Sequence, residues 1–222
     1  MGRHTGDADE IRHVEIRVGQ IVLDGDLSIP AGAKRLVLFA HGSGSSRLSP
    51  RNRLVAGALN RKGIATLLFD LLTEEEEAVD MVTAELRFDI KLLAHRLAGA
   101  TDWLINCDKA RSMSIGYFGA STGAAAALLA ATEKPEKVKA VVSRGGRPDL
   151  AGAGALPLVK CPTLLIVGGF DEQVIELNRK AMSFMKCEKE LVIVPEASHL
   201  FEEEGRLEIV AKHATDWFLR YL

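Results

Sequence analysis

The chain has 222 residues, 47% of them hydrophobic and 26% charged, and its formal net charge is −2. This length supports one compact domain, and the charge excludes the basic excess of nucleic-acid-binding proteins and the charge excess of disordered chains. No apolar stretch approaches the roughly 20 residues that a membrane-spanning helix requires. We therefore expect a globular domain with neither a nucleic-acid partner nor a membrane partner.

The polar segment over residues 1–12 lacks the apolar centre of a secretion signal, and it predicts a flexible tail in front of a single domain over residues 13–222. The three cysteines, Cys107, Cys161 and Cys187, are an odd number without Cys-x-x-Cys spacing. This pattern predicts a reduced, cytoplasmic protein without structural disulfides. The sequence leaves the oligomeric state open.

Strand patterns recur along the whole chain. Residues 13–18 and 21–29 predict a hairpin of two short strands. Six continuous apolar runs follow, which are typical of strands buried on both faces. These runs cover residues 36–40, 65–69, 113–118, 138–142, 163–167 and 191–194.

Helical patterns separate most of these runs. Apolar residues at helical spacing predict helices over residues 54–59, 176–185 and 207–221, and one long amphipathic helix from Val82 to Leu104. Alternating strands and helices favour a mostly parallel, doubly wound sheet with helices on both faces. No repeat or internal linker interrupts the pattern.

The segment Gly119-Ala120-Ser121-Thr122-Gly123 lies between an apolar run and an alanine-rich helix over residues 124–131. A serine at such a strand-to-helix turn is lifted above the edge of the sheet, and the next backbone N–H points at whatever the hydroxyl attacks. The pattern therefore predicts a nucleophile at Ser121. The alternative is an ordinary helix N-cap.

Two further polar residues follow other strands. Asp171 comes after the run that ends at residue 167, and His199 comes after the last run. The carboxyl ends of parallel strands meet at one edge of a sheet, where the chemistry of α/β proteins collects. The order Ser, Asp, His is that of α/β-hydrolases. Glu172 is the main alternative acid; His95 and His213 are alternative bases.

Together these motifs resemble the dienelactone-hydrolase-like α/β-hydrolases over nearly the whole chain. The resemblance depends on the segments 41–46, 119–123 and 168–171 and on His199. It implies the α/β-hydrolase fold, and it implies neither a cofactor nor a metal. Dienelactone hydrolase itself uses a cysteine nucleophile, so Ser121 favours general ester chemistry. The segment between residues 142 and 163 is too short for a helical cap domain, which implies an open or shallow pocket.

The predicted roles follow the serine triad. Ser121 attacks a carbonyl carbon, His199 accepts its proton, and Asp171 orients the imidazole. The N–H groups of Thr122 and Ser43 are the expected oxyanion donors, with Gly44 as the second choice for the loop donor.

The loop after the first buried strand carries the other predicted contacts. Gly42 and Gly44 allow the backbone to approach the substrate closely. His41 is interpreted as part of the loop architecture, with a substrate contact as the alternative. Asp70 is expected to cap the loop that follows it, again with substrate binding as the alternative. Thr73 and the acidic run over residues 74–77 predict a capped helix start, not a metal site.

Several arginines flank the predicted site. They have either a solvated, helix-supporting role or a role in binding an anionic substrate, and we assign Arg144 to substrate binding. The others are Arg47, Arg51, Arg53 and Arg147.

Three other functions compete with ester hydrolysis. The segment 42–47 with Asp70 imitates a dinucleotide-binding fingerprint, but Arg47 stands where the third glycine belongs. A non-catalytic, ligand-binding member of the fold is the second alternative. The third is acyl transfer to an acceptor other than water with the same triad.

Overall fold

The computed structural model describes residues 11–222. The predicted tail lies outside these residues, apart from Ile11 and Arg12, which belong to the first strand. Strands β1 (Ile11–Val18) and β2 (Ile21–Ser28) form the predicted antiparallel hairpin, and Gly19 takes a φ of +62° in the turn between them. Among the described residues, no helix combines the length and apolarity needed to cross a bilayer.

The six apolar runs form the other strands of one sheet of eight strands, which confirms the predicted α/β class. They are β3 (Arg35–Ala40), β4 (Ile64–Phe69), β5 (Ser114–Ala120), β6 (Val138–Arg144), β7 (Thr163–Gly168) and β8 (Lys189–Val194). The strand order is β1-β2-β4-β3-β5-β6-β7-β8. β2 pairs antiparallel with β4, while the strands from β4 to β8 are parallel. The carboxyl ends of β3 to β8 therefore lie at one edge.

Helices cover both faces of the sheet. They are α1 (Pro50–Asn60), α2 (Glu74–Thr83), α3 (Ile90–Ile105), α4 (Thr122–Glu133), α5 (Glu172–Phe184) and α6 (Arg206–Tyr221). Apolar residues of α3 and α4 pack into one core, and those of α1 and α6 pack into a second core on the opposite face. The side chains of each buried strand alternate between the two cores.

The predicted long helix from Val82 to Leu104 is wrong. Helix α2 ends at Thr83, Ala84 takes a left-handed conformation with a φ of +56°, and a 3₁₀ turn covers Leu86–Phe88 before α3 begins. Val82, which the helical pattern assigned to the buried stripe, is 88% exposed.

Local polar contacts cause this break. The buried carboxylate of Asp80 accepts hydrogen bonds from the backbone N–H of Arg87 at 3.0 Å and from its Nε at 2.6 Å. Asp89 then caps α3, because its Oδ1 accepts from the N–H of Leu92 at 3.0 Å. The spacing of apolar residues alone reveals neither the contact between Asp80 and Arg87 nor the cap at Asp89.

The segment between β6 and β7 is short, as expected. It contains two 3₁₀ turns, Pro148–Ala151 and Leu156–Leu158, and no helical cap is inserted within residues 11–222. The edge formed by the strand ends therefore remains accessible from solvent.

Candidate active site

Ser121 occupies a strained turn between β5 and α4. Its φ of 51° and ψ of −120° are a conformation that residues with a Cβ rarely adopt. Its N–H donates to the carbonyl of Arg144 at 3.2 Å, and its side chain makes no capping hydrogen bond to α4. The structure thus contradicts the alternative interpretation of Ser121 as an ordinary N-cap.

Glycines hold this turn against the end of β3. A Cβ added to Gly119 would lie 2.4 Å from the Cα of Ala124, and one added to Gly123 would lie 2.2 Å from the carbonyl oxygen of Ala40. A Cβ at Gly42 would lie 3.1 Å from the Cβ of Ser121. The segment after β3 therefore lies directly beside the serine.

His199 and Asp171 form a hydrogen-bonded pair. The Nδ1 of His199 lies 2.6 Å from Oδ2 of Asp171, whose side chain is only 16% exposed. Because Nδ1 contacts the carboxylate, Nε2 remains the nitrogen that can exchange a proton. Asp171, and not its neighbour Glu172, is the acid that contacts the imidazole.

The end of β6 and the residues that follow it lie beside both Ser121 and His199. The carbonyl of Arg144 accepts from the N–H of Ser121, and the N–H of Arg147 donates to the Ser121 carbonyl at 3.1 Å. A Cβ added to Gly145 would lie 3.6 Å from Cε1 of His199. The serine and the imidazole therefore contact the same few residues at the edge of the sheet.

The two residues expected to supply the oxyanion donors contact each other through the Thr122 hydroxyl. The N–H of Ser43 donates to Oγ1 of Thr122 at 2.9 Å, and Thr122 is 3% exposed. In the free protein, the Thr122 hydroxyl therefore accepts a hydrogen bond from the Ser43 N–H, the group that the predicted mechanism assigns to the substrate oxyanion. Gly44, the second choice, has a φ of +66° and is exposed. The oxyanion roles stay predictions.

A cavity of about 190 Å³ lies beside the loop after β3, toward the end of β4, and Ser121 is not among its lining residues. Gly42 and Ser43 form its wall next to the serine turn, and Leu72, Met81 and Leu93 contribute apolar surface. Charged side chains line it as well, namely Asp70, Glu77, Asp80 and Arg87. The expectation of an open or shallow pocket at Ser121 stays a prediction.

His41 supports the loops rather than facing the pocket as a free base. Its Nδ1 contacts the carbonyl of Gly42 at 3.0 Å, and its Nε2 accepts from the N–H of Leu71 at 3.1 Å. Both ring nitrogens are thereby occupied, and the bond from Leu71 joins the ends of β3 and β4. Burial lowers the pKa of His41 despite the opposing effects of its hydrogen bond to Gly42 and of the nearby carboxylates of Asp70 and Glu77.

This contact predicts a pH-dependent stability. The pKa of His41 is lower in the folded state than its ordinary value of 6.5, so the unfolded chain binds the proton first. The contribution of neutral His41 to the free energy of unfolding is complete above about pH 6.5, and it is lost as the pH falls toward the folded-state pKa of His41. We expect urea midpoints at pH 7.5 and 5.5 to differ more for the wild type than for His41→Asn. Equal differences would contradict this role.

The expectation that Asp70 caps the following loop is wrong. Its Oδ1 accepts from the backbone N–H of Arg47 at 2.7 Å, and its Oδ2 pairs with the Arg47 guanidinium. Asp70 therefore fastens the preceding loop, and it is not free to contact a ribose. The capping box at Thr73 and Glu76 is confirmed.

Most of the flanking arginines have carboxylate partners. Arg47 pairs with Asp70, Arg51 with Glu202 at 3.2 Å, Arg53 with Asp26 at 3.1 Å and Arg147 with Asp149 at 2.8 Å. Arg144 is the exception among these five: no partner for it lies within residues 11–222.

Two supporting residues had no signal in the sequence. The fully buried Asn178 of α5 donates to the carbonyl of Gly146 at 2.9 Å, and the carboxylate of Glu203 accepts from the N–H of Ser198 at 3.0 Å. These contacts hold the segment beside Ser121 and the loop that carries His199. Asn178 is 32 residues from Gly146, so only the tertiary structure reveals the contact.

An eight-stranded, mostly parallel sheet with a serine turn after β5 and a histidine after the last strand defines an α/β-hydrolase. The profile described as "Dienelactone hydrolase family" matches residues 45–222, and the chain belongs to that family. The structure of a dienelactone hydrolase from Anabaena variabilis is similar, with a TM-score of 0.95 and 59% identity over 96% of this chain and 99% of that one. This membership places the chain among the dienelactone-hydrolase-like α/β-hydrolases.

Two other comparisons extend the picture. Proteins from two strains of Mycobacterium tuberculosis, provisionally named phosphoribosyl transferases, are 53% identical over 209 residues, which is 94% of this chain but 46% of theirs. The chain thus spans about half the length of these curated relatives. An esterase from Pyrococcus furiosus, at 18% identity over 96% of this chain and 92% of that one, shares the fold with a TM-score of 0.73.

Proposed function

We propose that this protein hydrolyses small carboxylic esters, thioesters or lactones through an acyl-enzyme on Ser121. The observation that carries the proposal is the 2.6 Å contact between His199 and Asp171 at the same edge as the strained serine turn. Family membership supplies the reaction class, and these three residues supply the chemical groups that serine catalysis requires.

In the proposed cycle, His199 Nε2 removes the proton from the Ser121 hydroxyl as Oγ attacks the carbonyl carbon. The imidazolium then gives the proton to the leaving oxygen or sulfur, and the acyl group remains on Ser121. Water attacks this ester with His199 again acting as the base, which releases the acid and restores the serine. Asp171 accepts the Nδ1 hydrogen bond throughout and stabilises the positive ring.

The oxyanion of each tetrahedral intermediate needs preorganised donors. The N–H of Thr122 follows the nucleophile directly, and the N–H of Ser43 would turn from the Thr122 hydroxyl toward the substrate oxygen. Gly42 and Gly44 let the loop backbone approach the substrate, and we keep both in the substrate-binding set with Arg144.

The Thr122 hydroxyl should matter to this arrangement. Thr122→Val keeps the side-chain shape but removes the acceptor of the Ser43 N–H. The loop after β3 therefore loses its hydrogen bond to the serine turn. We expect kcat to fall about 10-fold or more, up to the ~10²–10³ that loss of one oxyanion donor costs, while Thr122→Ser stays within a few-fold of the wild type. Steady-state kinetics on a p-nitrophenyl ester measure both. Equal kcat values for the valine and serine variants would contradict the role.

Acyl transfer remains the second candidate, because the same triad serves either acceptor. The name of the mycobacterial relatives describes proteins about twice as long, and we do not extend phosphoribosyl transfer to this chain. A non-catalytic ligand-binding role is the third possibility, and it predicts an unreactive serine.

One experiment separates these functions. A fluorophosphonate probe should label the protein once, at the peptide containing Ser121, and a competing ester should slow the labelling. Turnover of p-nitrophenyl esters with and without added alcohols or thiols then shows whether water or another acceptor takes the acyl group. An unlabelled Ser121 together with no ester turnover would sink the proposal.

A further inference from the structure

Two of the three cysteines lie beside each other, just before the amino ends of β7 and β8. These strands are parallel, and Thr163 at the start of β7 pairs with Lys189 at the start of β8. Cys161 and Cys187 each come two positions before a member of this pair, so the same register sets them opposite each other. The pairing extends toward the cysteines, because the N–H of Thr163 donates to the carbonyl of Glu188 at 2.9 Å.

Side-chain contacts join the two cysteines through one hydroxyl. The Cys187 thiol donates to Oγ1 of Thr163 at 3.9 Å, and that hydroxyl donates to the carbonyl of Cys161 at 3.1 Å. Both cysteines pack into the same core, the one that α3 and α4 cover. Neighbouring strands lie about 4.8 Å apart, within the range of about 4.4–6.8 Å that separates the Cα atoms of a disulfide. A bond between the two sulfurs therefore needs only local movement.

The two thiols differ in their access to solvent. Cys161 is 7% exposed, whereas Cys187 is half-buried. Burial raises the pKa of Cys187, while the hydrogen bond to Thr163 and the ammonium of Lys189 oppose that effect. Burial, and then the neighbouring Cys187 thiol, raise the pKa of Cys161 to about 12. A dissolved oxidant therefore reaches Cys187 first and reacts slowly, but neither thiol is held as a stable thiolate, which favours the disulfide at equilibrium.

We propose that Cys161 and Cys187 form a redox modification site, which a hydroperoxide converts to a disulfide that fastens β7 to β8. The Cys187 thiolate attacks the terminal peroxide oxygen, which gives a sulfenic acid and releases an alcohol, or water when the oxidant is hydrogen peroxide. The Cys161 sulfur then attacks the sulfenic sulfur and expels water as the S–S bond forms. The thiols lose two electrons and two protons in total, and the O–O bond of the peroxide takes up both.

The disulfide closes a loop that contains β7, Asp171 and α5. Such a link restricts the unfolded chain and so stabilises the folded one. The cysteines precede the strands, while Asp171 follows the carboxyl end of β7, so the link forms at the edge of the sheet opposite to the candidate site. The proposal is independent of the proposed ester hydrolysis and stands or falls without it.

Peptide mapping tests the link directly. The reduced, full-length protein is incubated with hydrogen peroxide, its remaining thiols are alkylated, and it is digested with trypsin without reductant. We expect peptide 161–179 joined to peptide 187–189, two hydrogen atoms lighter than the sum of the two, and one alkyl group on Cys107. Cys107, half-buried in the turn after α3, is the internal control. Alkylation of both Cys161 and Cys187 after peroxide, or a link through Cys107 or between two chains, would overturn the proposal.

Thermal unfolding tests what the link does. Oxidised wild type should melt about 5 °C or more above the reduced protein, and dithiothreitol should reverse the gain. Cys187→Ser, which changes a half-buried side chain, and Cys161→Ala should show no gain after the same treatment, whereas Cys107→Ser should show all of it. A linked protein with an unchanged or lower Tm would contradict the fastening of β7 to β8, and so would an equal gain in Cys187→Ser.

Discussion

We expect Ser121→Ala to lower kcat on activated esters by at least about 10⁴-fold, because the nucleophile and its base act as one unit. The remaining turnover would come from substrate binding and oxyanion donors alone. The serine lies in the turn with φ of 51°, and its hydroxyl has no capping role that its loss would disturb. The fold should therefore survive, and steady-state kinetics with p-nitrophenyl acetate, corrected for spontaneous hydrolysis, measure the loss.

The control for this variant is Ser183→Ala. Ser183 is an exposed serine whose hydroxyl donates to the carbonyl of Lys180 at 2.7 Å, and it lies at the end of α5 opposite to Asp171. It should retain wild-type turnover. If Ser121→Ala also turns over esters at the wild-type rate, the nucleophile lies elsewhere and the acyl-enzyme mechanism is wrong.

Gly123→Ala should destabilise the fold by about 3 kcal/mol or more. The added Cβ would lie 2.2 Å from the carbonyl oxygen of Ala40 and 2.4 Å from that of His41. Both atoms are backbone, so neither can rotate away as a side chain would, and β3 and α4 must separate. Urea unfolding followed by circular dichroism measures the free energy of unfolding.

Gly57→Ala is the matched control. Gly57 lies inside α1, and a Cβ there meets only an ordinary contact with Arg61 at 3.5 Å. Alanine favours the helix, so we expect a gain of about 0.5–1 kcal/mol. A similar change in the free energy of unfolding for Gly123→Ala and Gly57→Ala would show that close packing at the serine turn does not explain why residue 123 is a glycine.

Local sequence patterns predicted most of the fold. Continuous apolar runs marked β3 to β8, since a strand covered on both faces has no polar side to display. The Thr73 capping box is a short-range signal and was confirmed. The predicted helix through Ala84 was wrong because the spacing of apolar residues does not register the hydrogen bonds that Arg87 donates to Asp80 where α2 ends.

For the candidate site, the sequence alone determined which residues stand at the ends of parallel strands, and it therefore predicted that Ser121, Asp171 and His199 lie at one edge of the sheet. Only the tertiary structure decided their partners: that Asp70 binds Arg47, that the Thr122 hydroxyl holds the Ser43 N–H, and that Arg144 has no counterion. Strand periodicity is a short-range property that each segment carries by itself. Hydrogen-bond and ion partners depend on how segments far apart in the chain pack together, and no local pattern encodes that packing.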